Sequence, residues 1–241
     1  MQDFDIVVIV GPNDIKTINK QIGYTKKNII NYRNIYLICY DDSLKIDGCI
    51  TISEKTFPFS LDTVAMYHGK RKRNGWYLQQ LLKLYTGVII PNILDKYLVI
   101  DADTYFLNPV TFYENGKGLY NYGTEYHKPY FIHMEKLHPE LKKIDNNKSG
   151  ICHHMFFETK YINELFNMVE SKHNNEKFYD IFLKNVIDHD GSGASEYEIY
   201  FNYMLYKHPN NIKIRKLNWD NSKDFNHSNY HYISCHWYMN K

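Results

Sequence analysis

The sequence predicts a mixed α/β fold in which a mainly parallel sheet is flanked by helices. Short apolar runs alternate with longer amphipathic segments through the first hundred residues, which is typical of strands joined by helical crossovers. The later segments are mixed, which favours an antiparallel addition to the same sheet. No linker is long enough to divide the 241 residues, so we expect a single domain over residues 1–241.

The predicted elements follow from local patterns. Strands are short apolar runs rich in Ile and Val that stop at turn residues, as the first one does at Gly11-Pro12. Helices are longer and carry apolar residues at helical spacing. The predicted strands cover residues 4–10, 34–40, 49–52, 97–100, 151–157, 212–217 and 232–235. The predicted helices lie within residues 14–33 and over 75–88, 161–171, 177–185 and 195–206.

Composition and charge exclude several classes of protein. The formal net charge of +2, from 29 basic and 27 acidic residues, is too small for bulk binding to nucleic acid or to a membrane surface. No apolar run approaches the roughly 18 residues of a transmembrane segment. The four cysteines form no CxxC pair, and the acidic start differs from a secretory signal. We therefore expect a soluble, cytoplasmic protein without a nucleic-acid partner.

The most informative segment is an acidic pair that follows an apolar strand. Asp101 and Asp103 come directly after the apolar run at 97–100, and an extended chain directs both side chains to one side. Ligands of open α/β sheets bind beyond the carboxyl ends of strands. Two carboxylates suit Mg²⁺ or Mn²⁺, which can stabilise a leaving diphosphate. The alternative is an ordinary strand end, where acidic residues are common.

The helix predicted over 75–88 has one polar face with a tryptophan on it. Its apolar face comprises Leu78, Leu81, Leu82 and Tyr85. Trp76, Gln80 and Lys83 lie on the opposite side. That side is either solvated, with Trp76 packing at the helix start, or borders a ligand cleft. In the second case Trp76 packs on a sugar or base, while Gln80 and Lys83 reach polar or phosphate groups.

A later helix start and a histidine pair supply further candidates. Ser195 and Glu198 have capping-box spacing, which leaves Glu196 available as an acid, a base or an acceptor-binding residue. The alternative is that any acidic residue favours a helix N-terminus. His153 and His154 are candidate acceptor-binding residues, and strand alternation directs at most one of them to a cleft.

Together these segments resemble a glycosyltransferase of the GT-A fold. They are similar to a small family from bacterial polysaccharide gene sets and large DNA viruses, whose members carry four motifs in order. These motifs are a Gly-Trp-Tyr-x-Gln-Gln helix, a strand ending in DxD, a His-His strand and a Ser-Glu-Tyr-Glu helix. Here they occupy residues 75–80, 101–103, 153–154 and 195–198, and the resemblance spans about residues 10–237.

The resemblance implies a nucleotide-sugar donor, such as a UDP-sugar, and a glycan or other hydroxyl acceptor. It implies Mn²⁺ or Mg²⁺ held by Asp101 and Asp103, with His236 joining the metal and Lys241 touching phosphate. It also places the turn after the first strand and Asp41 beside the nucleotide. The candidate donor-binding residues, from pattern and resemblance together, are Gly11, Pro12, Asp14, Asp41, Trp76, Gln80, Lys83, Asp101, Ala102 and Asp103.

The mechanism leaves alternatives. In an inverting transferase, which we slightly favour, Glu196 deprotonates the acceptor hydroxyl. A retaining enzyme needs no such base, and Glu196 then only holds the acceptor. A rival interpretation is a phosphatase of the haloacid-dehalogenase type, with Asp101 as nucleophile and Asp103 as general acid. The late position of the pair and Thr104 directly after it disfavour this rival. A second rival is a glycan- or nucleotide-binding module without catalysis.

Overall fold

The computed structural model describes residues 3–227, 229–236 and 239, so the predicted phosphate contact Lys241 lies outside the described residues. The strands are β1 (Phe4–Val10), β2 (Tyr32–Cys39), β3 (Ile50–Ser53), β4 (Lys96–Asp101), β5 (Thr104–Phe106), β6 (Tyr113–Glu114), β7 (Lys117–Tyr120), β8 (His154–Glu158), β9 (Ile212–Ile214), β10 (Trp219–Asn221) and β11 (Tyr232–Ser234). The helices are α1 (Ile18–Asn28), α2 (Leu61–His68), α3 (Asn74–Ile89), α4 (Lys128–Leu137), α5 (Thr159–Lys172), α6 (Phe178–Lys184) and α7 (Glu196–Lys207).

The central sheet has the strand order β3-β2-β1-β4-β8. The first four strands are parallel, and β8 runs antiparallel to β4. All seven residues of β1 are buried, which explains why the strand is apolar on both faces apart from Asp5, whose carboxylate pairs with Arg33. The mixed α/β class with a mainly parallel sheet flanked by helices is therefore confirmed.

Helix α3 lies at the centre of the helical packing. It contacts β1 and β4 on one side and α2, α5 and α7 on others, so neighbours cover both its faces. The predicted apolar face is buried, but so are Gln80 at 1% and Lys83 at 3% exposure. Of the two alternatives for this side of the helix, a solvated face is therefore wrong for these two residues. Within the described part of the chain, no helix combines the length and hydropathy needed to cross a membrane.

Two small sheets complete the fold. In one, β5 pairs antiparallel with β11, which itself pairs parallel with β10. In the other, β7 joins β6 and β9. The first of these sheets brings the end of the chain back beside the acidic pair, since the backbone N–H of Cys235 donates to the carbonyl of Asp103 at 2.8 Å.

Sequence patterns missed several of these elements. The strands β5, β6, β7 and β10 have two to four residues, too few to show a period, and distant partners hold them. Two missed helices carried local signals. Ser60 and Thr63 form a capping box at the start of α2, and Pro129 lies in the first turn of α4.

The strand predicted over 151–157 begins later than expected. His153 has a φ of +60°, in the left-handed region, so the chain turns there and β8 starts at His154. The backbone still connects to the neighbouring strand, because Asp101 N–H donates to the carbonyl of His153 at 2.9 Å. The turn directs the side chain of His153 away from the regular strand alternation.

A tight backbone contact supports the start of α7, and it is testable. A Cβ added at Gly150 meets the carbonyl oxygen of Tyr197 at 2.5 Å and Cβ of Phe201 at 2.7 Å. We expect Gly150→Ala to lower the free energy of unfolding by about 1–3 kcal/mol, because backbone cannot yield cheaply. Urea denaturation measures this change.

The matched control is Gly23→Ala, in the exposed part of α1, where an added Cβ meets nothing within 4 Å. This change should stabilise the protein by about 0.5–1 kcal/mol, because alanine favours helix. If Gly150→Ala is as stable as the unsubstituted protein, the close approach of Gly150 to α7 is wrong.

Candidate active site at the carboxyl edge of the central sheet

Three segments that are distant in sequence meet at one edge of the central sheet. Asp101 ends β4 and pairs with Ile9 in β1, so the turn that follows β1 lies beside it. That turn carries Asp14. On the other side, His153 immediately precedes β8. This edge is where open α/β sheets bind ligands.

Asp101 is held as an anion by three protein groups. Lys83 Nζ lies 2.6 Å from Oδ1, and the Tyr197 hydroxyl donates to the same oxygen at 2.7 Å. His153 Nδ1 lies 3.5 Å from Oδ2. Burial alone raises the pKa of Asp101, but the charge of Lys83 and the contact with His153 outweigh burial and leave this pKa below its usual value.

The ammonium of Lys83 is shared between two carboxylates. Its second partner is Glu196, with Oε1 at 2.6 Å, and the Tyr197 ring centroid lies 4.3 Å away. Burial lowers the pKa of Lys83, but the two carboxylates raise this pKa by more than burial lowers it. The side chain therefore stays charged. Burial and the charge of Asp101 raise the pKa of Glu196 despite the ion pair.

Gln80 is also buried and makes its hydrogen bond inside the protein. Its Oε1 accepts the backbone N–H of Glu196 at 3.1 Å, at the N-terminus of α7, and within the described residues its Nε2 has no hydrogen-bond partner. Gln80 and Lys83 were predicted to contact the donor directly. The structure instead places both beneath the acidic pair, because α7 covers that face of α3.

Asp103 and His236, two of the predicted metal ligands, are in contact with each other. His236 Nδ1 lies 2.8 Å from Asp103 Oδ2, and the Ser234 hydroxyl donates to Oδ1 at 3.4 Å. The hydrogen bond with Asp103 raises the pKa of His236. Between the two acids, Ala102 is buried at 3% exposure, so its side chain belongs to the core.

Asp14 is the third acid at this edge. Burial, Asp103 and Asp101 raise the pKa of Asp14 to about 6, although the Gly11 N–H donates to its Oδ2 at 3.2 Å. Pro12 lies exposed in the same turn. Asp41 follows β2, and its carboxylate accepts from the backbone N–H and the hydroxyl of Ser43. These two hydrogen bonds stabilise the turn that contains Asp41.

The two adjacent histidines point to different environments. The His153 ring lies 5.1 Å from His236 and 4.9 Å from Trp219, at the acidic edge. His154 is 3% exposed, and burial lowers its pKa to about 3. The rings that pack around His154 are Phe106, Phe112 and Tyr232. This core position removes His154 from the candidate acceptor-binding residues.

Trp76 also has a different setting from the predicted one. The Arg73 guanidinium lies 4.4 Å from its ring centroid, and the Tyr77 ring packs against it at 5.0 Å. Arg73 in turn donates to the Ser192 hydroxyl at 2.6 Å. These contacts agree with the alternative interpretation, in which Trp76 packs at the helix start.

Sequence reasoning missed two residues of the site. Tyr197 lies inside the Ser-Glu-Tyr-Glu motif, so the motif itself carried the signal. Trp219 begins β10 and is partly exposed beside His153; a lone tryptophan in a polar segment was the available clue. The predicted capping box at α7 is half formed: Ser195 accepts the N–H of Glu198, whose own carboxylate bonds Ser149 and Asn202 instead.

The charges fit a divalent cation, although the side chains are not gathered around one point. Asp14, Asp101, Asp103 and Glu196 are carboxylates, and within the described residues Lys83 is the one ammonium or guanidinium group that contacts them. Asp103 and His236 supply oxygen and imidazole donors of the kind that Mn²⁺ accepts. Within the same residues, no group of three or more His, Cys, Asp or Glu side chains is arranged to hold a metal ion.

Comparison with known proteins gives a family. A family model described as a family of unknown function, DUF6492, matches residues 2–241. The chain belongs to DUF6492. No curated protein matches it. Among solved structures, apo mouse xyloside xylosyltransferase 1 is similar with 11% identity and a TM-score of 0.48, over 90% of this chain and 87% of that one.

The raised pKa of Asp14 predicts how pH affects the stability of this DUF6492 protein. Folding raises that pKa from 3.8 to about 6, so ionised Asp14 destabilises the folded state fully above pH 6 and not at all well below pH 4. We expect Asp14→Asn to stabilise the protein by about 1–2 kcal/mol at pH 8, after allowance for solvent screening, and hardly at pH 4. Urea denaturation with chelator present measures this difference.

The control is Asp47→Asn on the exposed surface, which should change stability little at either pH. A gain from Asp14→Asn that is equal at pH 4 and pH 8 would show that folding does not raise the pKa of Asp14.

Proposed function

We propose that this protein transfers a sugar from a nucleotide-sugar donor, such as a UDP-sugar, to a hydroxyl group of a glycan or similar acceptor. The observation that carries the proposal is the convergence of Asp14, Asp101 and Asp103 at the carboxyl edge of the sheet, with His153 and His236 beside them. An acidic site at this edge suits a cation-bound diphosphate. The four GT-A-like motifs point to the same chemistry.

Asp103 and His236 are the proposed ligands of Mn²⁺ or Mg²⁺, with Asp14 as a neighbouring carboxylate. When bound, the cation stabilises the negative charge of the departing nucleotide diphosphate. Asp101, the other predicted ligand, has one oxygen taken by Lys83 and Tyr197, and only Oδ2 faces away from them. We therefore assign Asp101 to donor binding through Oδ2.

The remaining roles concern orientation of the two substrates. The turn from Gly11 to Asp14 adjoins the acids and is the proposed binding place of the nucleotide, with Pro12 on its exposed side. Asp41 follows the neighbouring strand β2 and is proposed to lie toward the nucleotide base. His153 is proposed to face the acceptor, since its ring lies between the acids and Trp219.

The stereochemical course is a separate question. Glu196 was the predicted base of an inverting reaction, but it is 4% exposed and its Oε1 lies 2.6 Å from Lys83. A base must reach the acceptor hydroxyl and must be free to take its proton. We therefore do not assign this proton to Glu196. Proton NMR of the product decides between inversion and retention, because the signal of its anomeric proton reports the configuration of the new linkage.

The first test is a panel of nucleotide sugars with Mn²⁺ and with chelator, followed by thermal shift and by release of nucleotide diphosphate. We expect one nucleotide family to raise the melting temperature, because ligand binds only the folded state. Release should require metal and should fall on the order of 100-fold or more in Asp103→Ala, because transition-state charge is no longer stabilised. The exposed Asp47→Ala is the control and should retain full activity.

Two other outcomes support different functions. Hydrolysis of an aryl phosphate that Asp101→Asn abolishes, with no response to any nucleotide sugar, replaces the transferase with a phosphatase. Binding of a nucleotide or glycan without metal-dependent turnover identifies a binding module.

A further inference from the structure

A charged cluster lies in the interior where stability alone does not explain it. Lys83 and Glu196 are 3% and 4% exposed, and Lys83 Nζ lies 2.6 Å from carboxylate oxygens of both Asp101 and Glu196. Removing such charges from water costs about as much as their attraction returns, and apolar residues of similar size often stabilise a protein equally well. The arrangement therefore calls for a role other than stability.

The cluster restricts Asp101 to one orientation. Lys83 and Tyr197 both bind Oδ1, at 2.6 and 2.7 Å, from two different helices. The carboxylate cannot rotate without breaking both contacts. Its Oδ2 is left on the side of His153, whose Nδ1 lies 3.5 Å away. Asp101 is thus an oriented carboxylate whose Oδ2 lies on the side of His153.

Glu196 is held in place as firmly as Lys83. Its backbone N–H donates to Gln80 Oε1 at 3.1 Å, and the hydroxyl of Ser195 caps the next turn by accepting from Glu198 N–H. The Glu196 carboxylate oxygen Oε1 lies 2.6 Å from Lys83 Nζ, the same distance as Asp101 Oδ1. Two acceptors, one from α7 and one from β4, thereby fix the position of the ammonium between them.

We propose that Lys83, Tyr197 and Glu196 are positioning residues that orient Asp101 for the donor, and that Glu196 is the counter-charge of Lys83 and not a proton acceptor. This inference deepens the proposed function and rests on it for the kinetic readout. It predicts which kinetic constant each substitution changes. Substitutions in the cluster act on donor affinity through Asp101, whereas loss of a base acts on kcat.

The decisive variant is Glu196→Gln, which keeps an oxygen that can accept from Lys83. With the best donor of the panel, we expect kcat for release of nucleotide diphosphate within about fivefold of the unsubstituted protein, with an unchanged pH profile. If Glu196 is the base, kcat falls by about 10²- to 10⁴-fold at unchanged donor KM, and the proposal is overturned.

Further variants test whether Lys83 and Tyr197 hold Asp101 in place. We expect Lys83→Met to raise the donor KM about tenfold or more, since Asp101 loses its cation, and Tyr197→Phe to raise it roughly three- to tenfold. Lys83→Arg keeps the charge and should recover part of the loss. Tyr203→Phe is the matched control. This buried tyrosine also lies in α7, but its hydroxyl donates to Glu164, which is not one of the acids of the site. Donor KM unchanged in both Lys83→Met and Tyr197→Phe overturns the proposal.

Urea denaturation tests the cluster independently of any donor. Lys83→Met leaves Asp101 and Glu196 buried without their cation, and adding Glu196→Gln removes one of these charges. The double variant should therefore be more stable than Lys83→Met alone. Additive effects of the two substitutions overturn the coupling between Lys83 and Glu196. If the unsubstituted protein consumes no donor but the two substitutions still show this coupling, the transferase function is disproved. The ion pair between Lys83 and Glu196 is then still supported.

Discussion

The buried ammonium of Lys83 connects three elements of the site. It extends from α3, meets Asp101 at the end of β4 and meets Glu196 at the start of α7. An unpaired charge at this depth costs several kcal/mol, so neither carboxylate can move away while the fold persists. The relative positions of α3, α7 and Asp101 thus depend on this side chain, together with the hydrogen bonds of Tyr197 and Gln80.

This constraint divides the acids of the site into two kinds. Asp101, which has Lys83 and Tyr197 on one oxygen, stays ionised with its pKa below the usual value. Among the described residues no such cation contacts Asp14, and burial with the charges of Asp103 and Asp101 raises the pKa of Asp14 to about 6. One site therefore combines a compensated carboxylate with others that still repel each other. Such an excess of negative charge is what a divalent cation relieves.

The end of the chain completes the site through a small sheet. Asp103 lies in the turn between β4 and β5, and β11 pairs with β5 so that the next residues pass directly beside it. The His236 imidazole reaches Asp103 in this way, at 2.8 Å. Strands of three residues are too short to stand alone, so the closure depends on packing against the central sheet.

Local sequence determined the central strands, the longer helices and the acidic pair at the end of β4, because burial on both faces and helical spacing leave periodic signatures. The tertiary structure decided what those signatures do not contain. A helical wheel separates Gln80 and Lys83 from the apolar face of α3, but only packing shows that α7 covers them. Strand alternation separates His153 from His154, but the left-handed turn and the aromatic core decide which one reaches the acids. The Ser-Glu-Tyr-Glu motif and an isolated tryptophan draw attention to Tyr197 and Trp219, but only the tertiary structure shows which distant residues they contact.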